Sequence, residues 1–270
     1  CWVDAIIHER YWKEKSLRTR IAYFLEKKCF NLAKKALVCT EADKQHVIET
    51  YQIDREKIIP VYGVVDIEKF SPTINGSKVR QAFNIEKNAP VIMYHGNFLR
   101  VHGVEYILHA APLVLKKIPN AKFLFVGDGI TLPECKKLVV KYGIEKSVIF
   151  TGVIPHEKLP EFLAACDIWL GLFDSSYKAQ RTARFAMFEA MAMGRVVITA
   201  NTIENRNIIS NEVNGFLVAP RNPNVLAEKI IHLLKDAQLR IKIGDSARKT
   251  IEEKFNIKIM EKILEEILEE

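Results

Sequence analysis

Residues 178–200 read KAQRTARFAMFEAMAMGRVVITA. Lys178, Arg181 and Arg184 stand three apart, directly ahead of an apolar run of helical character that holds one carboxylate, Glu189. Gly194 ends that run, and Val196, Val197 and Ile198 follow as a β-branched strand. The order is a cation cluster, a buried helix and a buried strand. A helix N-terminus carries free N–H groups and a positive dipole end, so it favours anions, phosphate above all. Two readings fit this stretch alone: the phosphate end of a nucleotide site, or an ordinary amphipathic helix with a solvated basic edge.

Outward from it, strands are expected at 91–94, 121–126, 147–151, 168–172, 196–199 and 215–218. Helical patterns fall between them at 103–117, 132–142, 156–166, 183–193 and 203–210. Short, continuously apolar strands alternating with helices describe an α/β fold with a six-stranded parallel sheet covered on both faces. In such sheets ligands bind beyond the carboxyl ends of the strands. The loops after Tyr94, Val126, Thr151, Leu172 and Thr199 are therefore the places to look.

The first of these is HGNFLRVHG (95–103), with Gly96 and Gly103 allowing close backbone approach, and with Asn97, Arg100 and His102 as donors to a phosphate oxygen. The second, Gly127-Asp128-Gly129, has permissive glycines. It is no dinucleotide fingerprint, because Leu132 stands at the third glycine position. A plain strand-to-helix turn explains it as well, and the missing glycine disfavours a nicotinamide oxidoreductase. The third loop, with Val153 and Ile154, offers backbone groups and an apolar patch suited to a nucleotide base. The fourth is the stretch quoted above. The fifth, 200–205, is polar and starts a helix.

Glu189 has two readings: a carboxylate accepting hydrogen bonds from the vicinal hydroxyls of a ribose, or a partly exposed helix residue in an ion pair. Its neighbours Phe188, Ala190, Met191 and Ala192 are apolar, so a specific partner is expected; an unpaired buried carboxylate is costly. His95 ends a strand and is either a satisfied core histidine or a site residue. His46, His109, His156 and His232 read as surface or core residues.

Upstream, Leu17, Ile21, Phe24, Leu25, Cys29 and Leu32 have helical spacing, 36–40 is a short strand, and Thr40 caps a helix over 41–51. A strand follows at 57–61. Residues 63–72 have turn chemistry, and Pro72, Asn75, Gly76 and Ser77 cluster as a linker signal. A domain boundary falls near Pro72, since residues 1–72 are too few for a complete α/β domain. Residues 73–250 form the main domain. From 224 onward the chain reads as helices alone, and Phe255-Asn256 sets apart a last amphipathic helix within 251–270.

Five scattered cysteines, with no CxxC pair, suit reduced thiols in a cytosolic protein rather than a disulfide framework or a zinc site. No apolar run approaches the roughly 18 residues that span a bilayer. The start, Cys1-Trp2-Val3-Asp4, is strand-like and has neither an initiator Met nor a signal-peptide pattern, so a longer protein is expected. The net charge of +7 is unevenly spread: nine basic residues lie between Arg10 and Lys35, against Glu14 and Glu26, with aromatic residues interleaved. This is a surface for anionic lipid or nucleic acid, or a solvated helix face.

The ordered set of motifs resembles the retaining glycosyltransferases of family 4, which have the GT-B fold of two facing Rossmann-like domains. GVVD with Phe70 and Pro72 looks like the family's interdomain linker, and HGNFLRVHG like its first phosphate loop. FVGDG looks like the turn under the nucleotide, and TGVIPHEKLPEFLAACDIWLGLF like the base-binding segment with the strand after it. FEAMAMGRVVIT and NGFLVAPRNPNVLAEKI look like the helix-strand signature near the sugar nucleotide. The resemblance covers nearly the whole chain. It implies a Rossmann-like donor domain, the remnant of an acceptor-side domain up to Pro72, and a C-terminal helix packing back toward that remnant. With its partner strands missing, the remnant is expected to expose apolar surface.

The implied activity is transfer of a sugar from a nucleoside diphosphate sugar to a hydroxyl acceptor, with retention and without a metal or other cofactor. A polysaccharide or glycolipid acceptor, a cytoplasmic location, and peripheral contact with the membrane through the basic front go with that reading; nucleic acid does not. A non-catalytic nucleotide-sugar binder or partner subunit is the alternative. Glu189 corresponds to the second glutamate of the family's E-x7-E motif, expected on the ribose. The first glutamate's position is Arg181, and the loop's usual Arg and Lys positions are Asn97 and His102. Arg100, Lys178, Arg181 and Arg184 then supply the charge, with Phe185 beside them. The KAxR stretch looks like a branch of the family with a similar HG loop and a variant donor site, although that branch tends to place a lysine where Ala186 stands. No residue reads as a general base.

Overall fold

A computed structural model describes residues 2–9 and 11–269; Cys1, Arg10 and Glu270, which figure in the cysteine, charge and last-helix readings, lie outside it. Where the sequence reads as strand-like, α1 (Trp2–His8) is a helix. The reason is visible in its spacing: Val3, Ile6 and Ile7 lie at i, i+3 and i+4, and Val3 is buried. Next come α2 (Leu17–Leu32), capped by Ser16, then β1 (Ala36–Val38) and α3 (Glu41–Tyr51). Thr40 accepts from the Asp43 amide and so caps α3 as expected. β2 (Ile58–Pro60) pairs parallel with β1, and Val38, Val47, Tyr51, Ile53 and Ile58 form a small core of their own. Leu17, Ile21, Phe24, Leu25 and Leu32 of α2 are exposed.

α4 (Ser77–Ala82) then leads into β3 (Val91–His95). The glycine read as a linker signal has a packing role: a Cβ on Gly76 would sit 2.2 Å from the Ala165 nitrogen. The chain continues with α5 (Val104–Lys117), β4 (Lys122–Val126), α6 (Leu132–Tyr142), β5 (Val148–Gly152), α7 (Leu159–Ala165), β6 (Ile168–Leu170), α8 (Tyr177–Gln180) and α9 (Phe185–Ala192). β7 (Val196–Ala200), α10 (Ile203–Ile208) and β8 (Phe216–Val218) complete the alternation, and α11 (Pro223–Lys235), α12 (Ala237–Lys254) and α13 (Ile257–Glu269) close the chain.

The main sheet is parallel throughout, in the order β5-β4-β3-β6-β7-β8. Each apolar strand divides its side chains between two cores. Ile92, Tyr94, Phe123, Phe125, Ile168 and Ile198 face α5, α6 and α11. Val91, Met93, Leu124, Val126, Trp169 and Val197 face α7, α9 and α12. This two-sided burial is why the strands read as continuous apolar runs instead of alternating ones. It also decides where His95 points: in phase with Val91 and Met93, it faces α9. The strand order reverses between β3 and β6, and the crevice at their carboxyl ends is the topological switch point. The segment before the main domain touches the chain's far end, where the Val65 amide donates to the Phe255 carbonyl at 3.0 Å and the Tyr62 and Phe255 rings meet edge to face.

Candidate functional site

Three of the strand-end loops are stitched together by backbone. The Gly96 amide donates to the Val126 carbonyl at 2.9 Å, Phe98 to Asp128 at 2.8 Å, and Gly127 to Gly152 at 2.9 Å. The first and second loops approach so closely that a Cβ on Gly127, at φ +125°, would lie 2.1 Å from the Gly96 carbonyl oxygen. This approach is the physical requirement behind the Gly127-Asp128-Gly129 turn. Asn97, Asp128 and Val153 are exposed along the rim, with Gly96, Gly129 and Ile154 half-buried beside them.

Beneath the rim lies Glu189, 3% exposed, with both oxygens held. His95 Nε2 is 2.9 Å from Oε2, and His156 Nε2 is 2.6 Å from Oε1. Each imidazole is oriented from behind. The indole Nε1–H of Trp169 donates to His95 Nδ1 at 2.8 Å, and the Lys69 ammonium to His156 Nδ1 at 3.0 Å. Neither Trp169 nor Lys69 can accept at those atoms, so both histidines carry a proton on Nε2 and donate it to the carboxylate. Burial pushes Glu189 up, but the hydrogen bonds from His95 and His156 outweigh it and hold the carboxyl below its ordinary range. Burial lowers His95, in spite of the neighbouring Glu189. The His95–Glu189 contact is thus a neutral imidazole donating to a carboxylate.

Arg184 is the cation that reaches this place. It is 6% exposed, with its guanidinium carbon 4.6 Å from the Tyr94 ring centroid and 5.5 Å from that of Trp169. One Nη donates to the His95 carbonyl, and the same atom lies where a Cβ on Gly96 would go. Its Nη1 is among the buried polar atoms with no hydrogen-bond partner. Phe185, next along the chain, is half exposed and fills the space over Gly63.

The other candidate cations are arranged differently. Arg181 is 3% exposed and bonds Asp43 at 3.1 Å and Asp4 at 2.9 Å, while Lys178 lies 3.7 Å from Asp43. Both therefore face α1 and α3, not the strand-end loops: the three-residue spacing spans the break between α8 and α9, so the side chains do not share one helix face. Arg100 pairs with Glu134 at 3.5 Å, and its amide and that of Val101 donate to the Glu9 carboxylate. His102 is buried, its Nδ1 2.6 Å from the Asn97 carbonyl and 3.0 Å from the Tyr94 hydroxyl. Burial, aided by Arg184, lowers it to about 3, so it is neutral and shapes the loop.

His95, with two readings in the sequence, and His156, expected at the surface or in the core, both meet Glu189. Trp169 and Lys69 carry no motif that marks them as site residues. The available signal was positional: His95 closes the first strand of the domain and His156 follows the third, both at carboxyl ends.

The fold and this crevice define a doubly wound α/β protein with its polar side chains gathered at the switch point. Residues 76–250 match the model of the glycosyl transferases group 1, and the chain belongs to that family. An uncharacterized glycosyltransferase of Methanocaldococcus jannaschii is 27% identical over 262 residues, which cover 95% of this chain and 64% of that one. The UDP-Gal:alpha-D-GlcNAc-diphosphoundecaprenol alpha-1,3-galactosyltransferase of Escherichia coli is 26% identical over 82% of this chain and 56% of its own. Anabaena HepE in complex with UDP-glucose superposes with a TM-score of 0.83 at 22% identity, over 98% of this chain and 70% of that one. The likeness identifies the fold as GT-B type. The chain spans 54%, 64% and 55% of the length of three such curated relatives.

Proposed function

We propose that this chain is the donor-binding portion of a retaining, family 4 glycosyltransferase that moves a sugar from a nucleoside diphosphate sugar to a hydroxyl acceptor. Glu189 carries the reading: a carboxylate held ionised at the switch point, where the resemblance expects the ribose hydroxyls. Arg184 supports it, as a buried guanidinium with a free N–H beside the first loop. A diphosphate leaving group develops charge as the glycosidic bond breaks, and a fixed cation of this kind stabilises it without reorganising. Gly96, Asn97, Gly127, Asp128 and Gly129 frame the phosphates, and Val153 and Ile154 the base. No metal or cofactor is needed in this scheme. Residues up to Pro72 are the end of the acceptor-side domain, 73–250 the donor domain, and 251–270 the returning helix.

The acceptor is a polysaccharide or glycolipid of the cell envelope. The relative named for transfer to a diphosphoundecaprenol-linked sugar supports this, as do the basic residues of 13–35. Those features favour a cytoplasmic protein lying against an anionic membrane face. Among the described residues no helix is long and apolar enough to cross a membrane.

Calorimetric titration of UDP and GDP tests the reading. One of them is expected to bind, and Glu189→Ala to weaken binding at least about tenfold, the loss of a charge-assisted hydrogen bond. Absence of binding to either would overturn it. The second reading, a non-catalytic nucleotide-sugar binder, is favoured by Arg181, which stands where a sugar-contacting glutamate is expected and is engaged by Asp4 and Asp43. Binding of a donor without turnover by the full-length protein would select it.

A further inference from the structure

The two histidines on Glu189 are not equivalent. His95 is buried behind the carboxylate, whereas the His156 side chain is 51% exposed and lies on its outer side. A ligand approaching Glu189 from solvent meets His156 first. His156 in turn contacts the segment before the main domain, through Lys69 Nζ at 3.0 Å and through the Phe70 ring, whose centroid is 5.5 Å from its own. Phe70 is buried in the α9-side core. A continuous polar chain therefore runs from Lys69 through His156 to Glu189, then through His95 to Trp169.

We propose that His156 is a positioning residue that caps Glu189, and that a ribose diol displaces it and so breaks the Lys69 contact between residues 63–72 and the donor site. The inference rests on the nucleotide reading of Glu189. The diol of a nucleoside has the donor geometry that a carboxylate accepts. By taking over Oε1, it replaces the imidazole N–H with hydroxyl O–H groups and leaves Glu189 satisfied. His156 then swings outward, and Lys69 loses its acceptor. Site occupancy is thereby communicated to the segment joining the two halves of the molecule, with no contact between ligand and linker. His95 stays, because Trp169 fixes its tautomer and the core fixes its position.

The test uses the whole chain with UDP, GDP and inorganic pyrophosphate as probes. In histidine-labelled protein, saturation with the nucleotide that binds is expected to shift the His156 ring resonances, and pyrophosphate, which has no diol, to leave them in place. Hydrogen exchange in 66–70 is expected to rise with nucleotide. Removing the cap in His156→Ala is expected to tighten nucleotide binding about two- to tenfold, one hydrogen bond no longer having to be broken. His156→Gln, whose amide can still donate to Glu189, is expected to restore the wild-type affinity. Nucleotide binding with unmoved His156 resonances, or with equal affinity in His156→Ala, would overturn the cap while leaving the nucleotide site intact. Failure of both nucleotides to bind would overturn that site and the cap with it.

Discussion

Trp169 donates its indole N–H to Nδ1 of His95 at 2.8 Å, between neighbouring strands of one sheet. This single bond selects the His95 tautomer that donates to Glu189. Trp169→Phe keeps most of the apolar volume but orphans a buried ring nitrogen. Expected is a loss of about 2–4 kcal/mol in urea-unfolding stability, from the lost packing and the unsatisfied group. A several-fold weaker nucleotide affinity is expected as well. Unchanged affinity in a folded variant would show that the tautomer does not matter for binding.

Under the proposed function Arg184 reads phosphate. Arg184→Lys retains a charge but not the planar fork stacked on Tyr94 and Trp169. Titrations with whichever of UDP and GDP binds, with its monophosphate and with its nucleoside are expected to show the variant's loss growing with each phosphate and vanishing for the nucleoside. An equal loss for all three would assign Arg184 a structural role only.

Arg181 offers the opposite expectation. Arg181→Glu, the residue the resemblance expects there, places a third carboxylate between Asp4 and Asp43, where a buried guanidinium now stands. Breaking such a pair costs about 3–5 kcal/mol. Differential scanning calorimetry is expected to show a large fall in Tm without any gain of donor turnover.

His102 makes stability depend on pH. Its ordinary value of 6.5 falls to about 3 in the folded protein through burial and the nearby Arg184. Below pH 6.5 the unfolded chain therefore binds a proton that the native one refuses. The contribution is complete above that pH and is lost as pH falls from 6.5 towards 3, at up to about 1.4 kcal/mol per pH unit. Denaturant midpoints measured between pH 7.5 and 5 are expected to fall, and His102→Asn to flatten the dependence.

Gly127→Ala probes the closure of the first two loops. The φ of +125° and the 2.1 Å approach to the Gly96 oxygen leave no room for a methyl group. A loss of about 2 kcal/mol or more is expected. Gly143→Ala, at φ +63° with nothing within 4 Å, is expected to cost less.

The sheet was legible because its strands are apolar on both faces and carry helices between them, a pattern few arrangements satisfy. Glu189 was legible for a related reason: one carboxylate inside FAMFEAMAM demands a partner. The entry helix α1 was misread because Val3, Ile6 and Ile7 make too short an apolar run to distinguish a period of 3.6 from one of 2. Lys178 and Arg181 face Asp43 and Asp4, whereas Arg184 bonds the His95 carbonyl. Spacing along a chain places side chains on a common face only within one element, and α8 ends before α9 begins.

The alternation of strands and helices, the loops at the strand ends and the need for something to meet Glu189 are all written in the chain, because each follows from hydrophobic periodicity or from the cost of burying charge. Which groups meet it depends on contacts between distant parts of the chain. His95 and His156 meet the carboxylate, Trp169 and Lys69 orient them from behind, and the four come from separate segments that only the folded chain brings together. Hydrogen bonds reach about 3 Å, whereas sequence patterns report only what lies within a turn or a strand. Arg184 turns into the crevice and Arg181 away from it for the same reason: their partners, Tyr94 and Trp169 for one and Asp4 and Asp43 for the other, are distant in the chain and adjacent only once it has folded.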